Sequence, residues 1–409
     1  MPPTDGFASE SFSCPMIMLL WSWVIFCCTS MILHHFPSLL HRPKRRIQSN
    51  STVAETRPAV AATMPAERHN PGVTPVSDVK VASRPIDPRF CVQHIAHRGC
   101  RKEGIPENTL TAFAHAVAAG CDVIELDVWL TIDERVVVFH DSDLERMCGT
   151  QAAAAAAATV AARRAVSANA KQEQGQKENI GVSDLNYDEL PKIKLNGEHW
   201  AVNDKNRKHA CRIPLFSEVL ELIPLDKPMI VEVKQRDPIL IRKVHDMILN
   251  KGRRDQTIWF SLAEDINADL RAYDPTIPNI TSVLGMLKCI LLYYTGLLPF
   301  VRLDSDILGI PVDHVDYARV REQKALKALP DALCWVLAFV LGGKPPLALI
   351  PPGLFKHLRA RGIPIFFLGV NDEENLKVAE WAGSTAVLTD RPQWLRKCMA
   401  DGKVALKRL

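Results

Sequence analysis

Short apolar runs alternate with helix-like stretches along residues 92–388, and this alternation limits the folds open to the chain. The runs are Val92–Ala96, Val123–Val128, Val136–Phe139, Met229–Val233, Thr257–Ser261, Ile307–Ile310, Ile363–Gly369 and Ala386–Leu388. Helical spacing covers Thr109–Ala119, with Asn108 placed to cap it, and also Leu215–Leu222, Ile239–Asn250 and Asp372–Ala382. Strands separated by helices predict an α/β fold with a parallel sheet. Eight strands within residues 89–400 suit a closed (β/α)8 TIM barrel. A doubly wound open sheet is the alternative, but no Gly-rich nucleotide turn follows the first run.

Polar groups sit at the ends of these runs. Side chains alternate along a strand, so Val123, Glu125 and Asp127 share one face while Ile124, Leu126 and Val128 share the other. If the apolar face packs on helices, two carboxylates project into the barrel. Such burial is costly unless a positive charge offsets it. Glu232, between Val231 and Val233, supplies a third carboxylate, and Lys234 follows on the same face. Oxygen ligands of this kind suit a hard divalent cation such as Mg²⁺ or Ca²⁺. A buried acid–lysine network without metal is the plainer reading of any one of these acids; three at strand ends favour a metal site. His97 and His140 each close an apolar run, on the face where such barrels carry their sites, so both are acid/base candidates. Arg98 and Lys234 are suited to phosphate oxygens. His94 either lines the barrel or adjusts His97, and His115 is expected on a helix surface.

The 409 residues carry a net charge of +4, too little to argue for nucleic acid. Eleven cysteines are scattered without a CxxC pair and read as free thiols. Met16–Leu33 has no charged side chain, and a basic cluster, His41–Arg46, follows it. That order predicts a transmembrane anchor in residues 1–47 with the bulk of the chain facing the cytosol, at the endoplasmic reticulum or another endomembrane. Residues 48–88 read as a flexible linker, 89–400 as the barrel, 151–178 as a low-complexity surface insertion and 401–409 as a basic tail. Two further apolar runs, Val283–Val301 and Ala332–Leu341, predict an apolar rim that meets a bilayer or an acyl chain.

Taken in order, His97-Arg98-Gly99, Pro106-Glu107-Asn108-Thr109, Glu125-Leu126-Asp127-Val128, His140-Asp141, Glu232-Val233-Lys234 and Thr389-Asp390-Arg391-Pro392 resemble the glycerophosphodiester phosphodiesterase family. The resemblance spans residues 92–395 and implies a metal-dependent barrel. It implies metal ligation by Glu125, Asp127 and Glu232, acid/base roles for His97 and His140, and phosphate binding by Arg98 and Lys234. Cys211-Arg212-Ile213-Pro214-Leu215, Tyr294–Phe300 and Phe36-Pro37-Ser38-Leu39-Leu40-His41 are similar to the animal lysophospholipase D branch. That likeness implies cleavage of lysophosphatidylcholine and N-acyl lysophosphatidylethanolamine to lysophosphatidic acid and the headgroup alcohol. The alternatives are hydrolysis of water-soluble glycerophosphodiesters to glycerol 3-phosphate, a phospholipase C reaction ending at a cyclic product, and a lipid-binding scaffold without activity. Leu368-Gly369-Val370-Asn371 departs from the family's Trp-x-x-Asn, which puts the pocket wall beside Asn371 in question.

Overall fold

The computed structural model describes residues 14–35, 92–166, 180–312 and 352–407. Its strands are β1 (His94–Ala96), β2 (Val123–Leu130), β3 (Val136–Val138), β4 (Met229–Val233), β5 (Thr257–Phe260), β6 (Leu308–Pro311), β7 (Ile365–Leu368) and β8 (Ala386–Thr389). Seven run parallel in the order β5-β4-β2-β1-β8-β7-β6. Two isolated bridges, Trp259 to Asn279 and Ile280 to Ile307, join the free edges of β5 and β6. The parallel sheet thus curls round on itself as an α/β barrel.

That closure corrects one strand assignment. β3 is not part of the wall: it pairs antiparallel with β2 (Val128 opposite Val138, Leu130 opposite Val136) and extends it outward as a hairpin. The missing wall segment is Asn279–Ile280. Two residues carry no periodicity, whereas Val136–Phe139 has the composition of a barrel strand without its place.

Parity along the strands builds two apolar layers. Ile95, Val123, Ile230, Ile258, Ile280, Ile307 and Phe366 fill the barrel interior. Ala96, Ile124, Leu126, Val231 and Trp259 face outward and pack under helices. The described helices are α1 (Cys14–His35), α2 (Leu110–Ala118), α3 (Glu145–Cys148), α4 (Thr150–Val166), α5 (Arg207–Ala210), α6 (Phe216–Leu222), α7 (Pro238–Asn250), α8 (Glu264–Tyr273), α9 (Val283–Tyr294), α10 (Pro352–Ala360), α11 (Glu373–Ala382) and α12 (Pro392–Ala400), of which α2, α6, α7 and α8 cover those outward residues. Their starts follow local chemistry. Asp237 accepts hydrogen bonds from the Ile239 and Leu240 amides with Pro238 behind it, and Asp372 accepts one from Asn375. The cap of α2 is Thr109, whose hydroxyl accepts from the Ala112 amide, not Asn108.

The Ala-rich insertion is ordered where it is described. α4 buries Ala156 and Val160, one turn apart, in a cluster with Trp129, Val137 and Phe139 of the hairpin. Residues 167–178 of it lie outside the described residues, as do the 48–88 linker, the basic flank and Ala332–Leu341.

The run Val283–Val301 divides into two faces. Met286, Cys289, Ile290 and Leu298 are buried, while Leu284, Leu291, Tyr294, Leu297 and Phe300 are exposed. Gly296, at φ 70°, turns the chain between α9 and the 3-10 turn Leu298–Phe300. α1 comes to this elbow: Ser30 Oγ donates to the Gly296 carbonyl at 2.6 Å, and Phe26 lies 5.4 Å from Phe300 between ring centres. Among the described residues no helix is long and apolar enough to cross a membrane, so the transmembrane expectation for Met16–Leu33 finds no support in the fold.

Phe366 is fully buried in the barrel interior. Phe366→Ala should lower the unfolding free energy by about 3–5 kcal/mol in urea denaturation. A loss below about 1 kcal/mol would place that ring outside the core.

Candidate active site

β2 and β4 aim the acids by register. Asp127 pairs with Glu232 across the sheet, and Glu125 lies two residues earlier on the same inward face. Ligand oxygens of Glu125, Asp127 and Glu232 all lie within 4.8 Å of one another, and all three residues are buried. Lys234 Nζ bridges two of them, 2.9 Å from Asp127 Oδ1 and 2.7 Å from Glu232 Oε2. Asn108 Nδ2 donates to Asp127 Oδ2 at 2.7 Å, and the Arg98 amide donates to Glu125 Oε2 at 2.9 Å.

A loop in left-handed conformations delivers those donors. Arg98, Gly99 and Asn108 have φ of 50°, 86° and 55°, and the Asn108 amide closes the loop on the Arg98 carbonyl at 2.9 Å. Such backbone angles in non-glycine residues cluster at functional sites. A Cβ at Gly99 would meet Ala112 of α2 at 2.7 Å, so only glycine fits there.

Charge is unevenly shared in this group. Burial works against ionisation of Asp127, but Lys234, His140 and Arg98 outweigh it and hold the carboxyl far below the usual range. Burial and the neighbouring Asp127 push Glu125 well above its ordinary value. Burial raises Glu232 as well, against the pull of Lys234. The cluster therefore lacks positive charge. An all-oxygen donor set short of one counter-charge fits a hard divalent cation.

Each histidine is held by an aspartate through Nδ1. His97 Nδ1 lies 2.6 Å from Asp390 Oδ1, and its Nε2 lies 3.9 Å from Glu125. Asp390 is itself fixed: Asn371 Nδ2 donates to Oδ2 at 2.9 Å, and Asn371 Oδ1 accepts from the Asp390 amide at 2.7 Å. The departure at Leu368–Val370 leaves Asn371 in this position. His140 Nδ1 lies 2.8 Å from Asp141 Oδ1, and Arg146 Nε donates to Asp141 Oδ2 at 2.6 Å. Burial first, then Lys234 and Arg98, lowers the His140 pKa to about 4, so that ring is neutral at pH 7.

Glu107, His140 and Asp141 form a second group with metal-like spacing. Here the charge is met by protein: Glu107 pairs with Arg98 at 2.9 Å, Arg101 at 2.9 Å and Arg146 at 2.6 Å. That arrangement is an ion-pair network that braces Arg98. His94 is buried but points out of the barrel, since its neighbour Ile95 takes the interior face; it neither lines the barrel nor touches His97. His115 bonds Glu103 at 2.8 Å. A cavity of about 230 Å³ between α8, α9 and residues 303–308 shares no residue with the carboxylate group.

Sequence reasoning gives Asp390, Glu107 and Arg146 no role, reads Asn108 as a helix cap and Asn371 only as a neighbour of the pocket wall, and so misses the hydrogen bonds all five make at the site. All but Arg146 lie in the motifs that carried the family likeness or beside them, so their positions were visible. Their partners were not: Asp390 is 293 residues from His97 and meets it only because β8 pairs with β1.

A model of the glycerophosphoryl diester phosphodiesterase family matches residues 97–270. Human lysophospholipase D GDPD1 is 32% identical over 315 residues, which is 75% of this chain and 86% of the relative. Mouse lysophospholipase D GDPD3 is 27% identical over 317 residues, 76% of this chain and 83% of the relative. Among solved structures, a glycerophosphoryl diester phosphodiesterase domain from Mycobacterium tuberculosis superposes with a TM-score of 0.50 at 18% identity, covering 75% of this chain and 99% of that one. That last likeness concerns the fold alone.

If the carboxylates hold the cation, Asp127→Asn and Glu125→Gln should each weaken Mn²⁺ binding at least about tenfold in calorimetric titration, whereas Glu107→Gln should not. Equal weakening by Glu107→Gln would move the ion to the second group.

Proposed function

This chain belongs to the glycerophosphoryl diester phosphodiesterase family and is a phosphodiesterase, and from that premise we propose that it cleaves lysophospholipids to lysophosphatidic acid and a free headgroup alcohol. The observation that carries the chemistry is the pairing of an inward carboxylate triad with two imidazoles, each anchored at Nδ1 and so left with Nε2 for proton transfer. The names of the two lysophospholipase D relatives and the exposed apolar face of α9 support a lipid as substrate.

Glu125, Asp127 and Glu232 would hold a divalent cation, which when bound would offset negative charge on the phosphoryl oxygens and make a nearby hydroxyl easier to ionise. Arg98 and Lys234 hold the phosphoryl oxygens, with Glu107 bracing Arg98 from behind. One imidazole removes the proton of the free glycerol hydroxyl, and that oxygen attacks phosphorus. The bond to the headgroup oxygen breaks, and the other imidazole, in its protonated form, gives that oxygen a proton. A cyclic phosphate remains. Water then adds to phosphorus, losing its proton to the second imidazole, and the ring oxygen takes the proton held by the first. The site ends in its starting protonation state. Asp390 and Asp141 keep both rings turned so that Nε2 does this work.

Exposed Trp23, Val24, Ile25 and Ile32 of α1 and the elbow residues Leu297 and Phe300 support docking on an endomembrane, and the basic cluster His41–Arg46 is the ground for placing the barrel on its cytosolic side.

Detergent-solubilised full chain should release choline and lysophosphatidic acid from lysophosphatidylcholine, lose that activity in EDTA and regain it with Mg²⁺ or Ca²⁺. His140→Ala and His97→Ala should abolish turnover while retaining the wild-type circular dichroism spectrum. Activity confined to glycerophosphocholine would replace the lipid substrate with a soluble one, and accumulation of cyclic phosphate would replace hydrolysis with a phospholipase C reaction.

Asp390→Asn should lower kcat by about 10²–10⁴-fold, because an amide can present its N–H to Nδ1 and favour the wrong tautomer. A change of less than about twofold would show that Asp390 does not orient His97.

A further inference from the structure

We propose that the Ala-rich helix α4 is a positioning element of the active site: it seats Arg146, whose guanidinium locks the two carboxylates that steer His140 and Arg98. The proposal rests on the phosphodiesterase reading above, which gives those two residues their roles.

Arg146 stands between two acids and grips both. Its Nε donates to Asp141 Oδ2 at 2.6 Å and its Nη2 to Asp141 Oδ1 at 3.0 Å. On the other side, Nη2 donates to Glu107 Oε1 at 2.6 Å and Nη1 to Glu107 Oε2 at 3.3 Å. Asp141 in turn bonds His140 Nδ1, and Glu107 accepts from the Arg98 guanidinium. One planar side chain thus ties an acid/base imidazole to a phosphate-binding arginine. A lysine offers a point charge and not this double fork. Released from Arg146, the Asp141 carboxylate is free to turn to water, and both tautomers of the His140 ring become populated.

Arg146 lies on α3, a single turn too short to hold itself. Its neighbours anchor it. Met147 and Cys148 are buried in one cluster with Ala156 and Val160 of α4 and with Phe139, the residue before His140. The Thr150 hydroxyl, at the start of α4, donates to Glu145 Oε1 at 3.0 Å, and the Lys194 amide donates to the Met147 carbonyl at 2.8 Å. The far end of α4 is fixed too: Arg163 donates to the Asp184 carbonyl at 3.3 Å and pairs with Glu189. An inert loop expansion needs none of these contacts. The cluster carries the backbone of His140 through Phe139 and that of Arg146 through Met147, so the packing of α4 sets the distance between them.

The test offers metal-supplemented full chain lysophosphatidylcholine and glycerophosphocholine and follows whichever the wild type cleaves. Arg146→Ala should lower kcat about 10- to 100-fold, by more than it raises KM, and added guanidinium ion should restore part of the loss. Arg146→Lys should stay low. Val160→Ala should lower kcat at least about threefold, whereas Ala158→Asp, on the exposed face of the same helix, should leave it within about twofold. Nitrogen-15 spectra of the histidine rings read the tautomer without turnover. His140 should carry its proton on Nδ1 in the wild type and show a mixture in Arg146→Ala. A wild type that cleaves neither substrate yet shows this difference overturns the substrate reading and leaves the positioning role standing. An unchanged tautomer in Arg146→Ala, or full activity in Arg146→Lys, overturns the role of Arg146. Equal effects of Val160→Ala and Ala158→Asp overturn that of α4.

Discussion

Three carboxylates turned into one dry barrel cannot stay charged unless positive charge stands beside them, and most of the mouth of this barrel is arranged around that constraint. Lys234 reaches Asp127 and Glu232 from the same strand that supplies Glu232. Arg98 gives its amide to Glu125 and turns its guanidinium toward Asp127 and Glu107. Lys234 does so from the end of its strand, whereas Arg98 does so from a left-handed backbone, with Gly99 packed closely on Ala112. What protein cations leave uncompensated falls on Glu125 and Glu232, and that remainder is the physical argument for a divalent ion.

The same arrangement explains why the histidines need partners of their own. A buried imidazole near Lys234 and Arg98 is pushed toward its neutral form, first by burial and then by those charges, as at His140. A neutral ring has two tautomers, and only a fixed acceptor at Nδ1 selects the one that leaves Nε2 available. Asp141 and Asp390 are those acceptors, and each is held in turn, by Arg146 and by Asn371. The two supports come from opposite ends of the chain and converge because β1 lies between β2 and β8.

Much of this was legible in the amino-acid order. Period-two alternation placed Glu125, Asp127 and Glu232 on inward faces, and the end of an apolar run marked His97 and His140. Legibility failed where the deciding contact is distant or the element is short. Val136–Phe139 has the local character of a barrel strand, and only its antiparallel pairing with β2 excludes it from the wall. Asn279–Ile280 is a wall segment too short to have a period. Asn108 has the character of a helix cap, yet Thr109 takes that place and frees Asn108 to bond Asp127. Val283–Val301 read as one apolar run; Gly296 breaks it, and only half its surface meets the core.

The central claim is that Glu125, Asp127 and Glu232 hold the catalytic cation. Anomalous diffraction from crystals grown with Mn²⁺ tests it most directly. The account predicts one strong peak in contact with oxygens of all three carboxylates. A peak at Glu107, His140 and Asp141 instead, or none at saturating Mn²⁺, would contradict it.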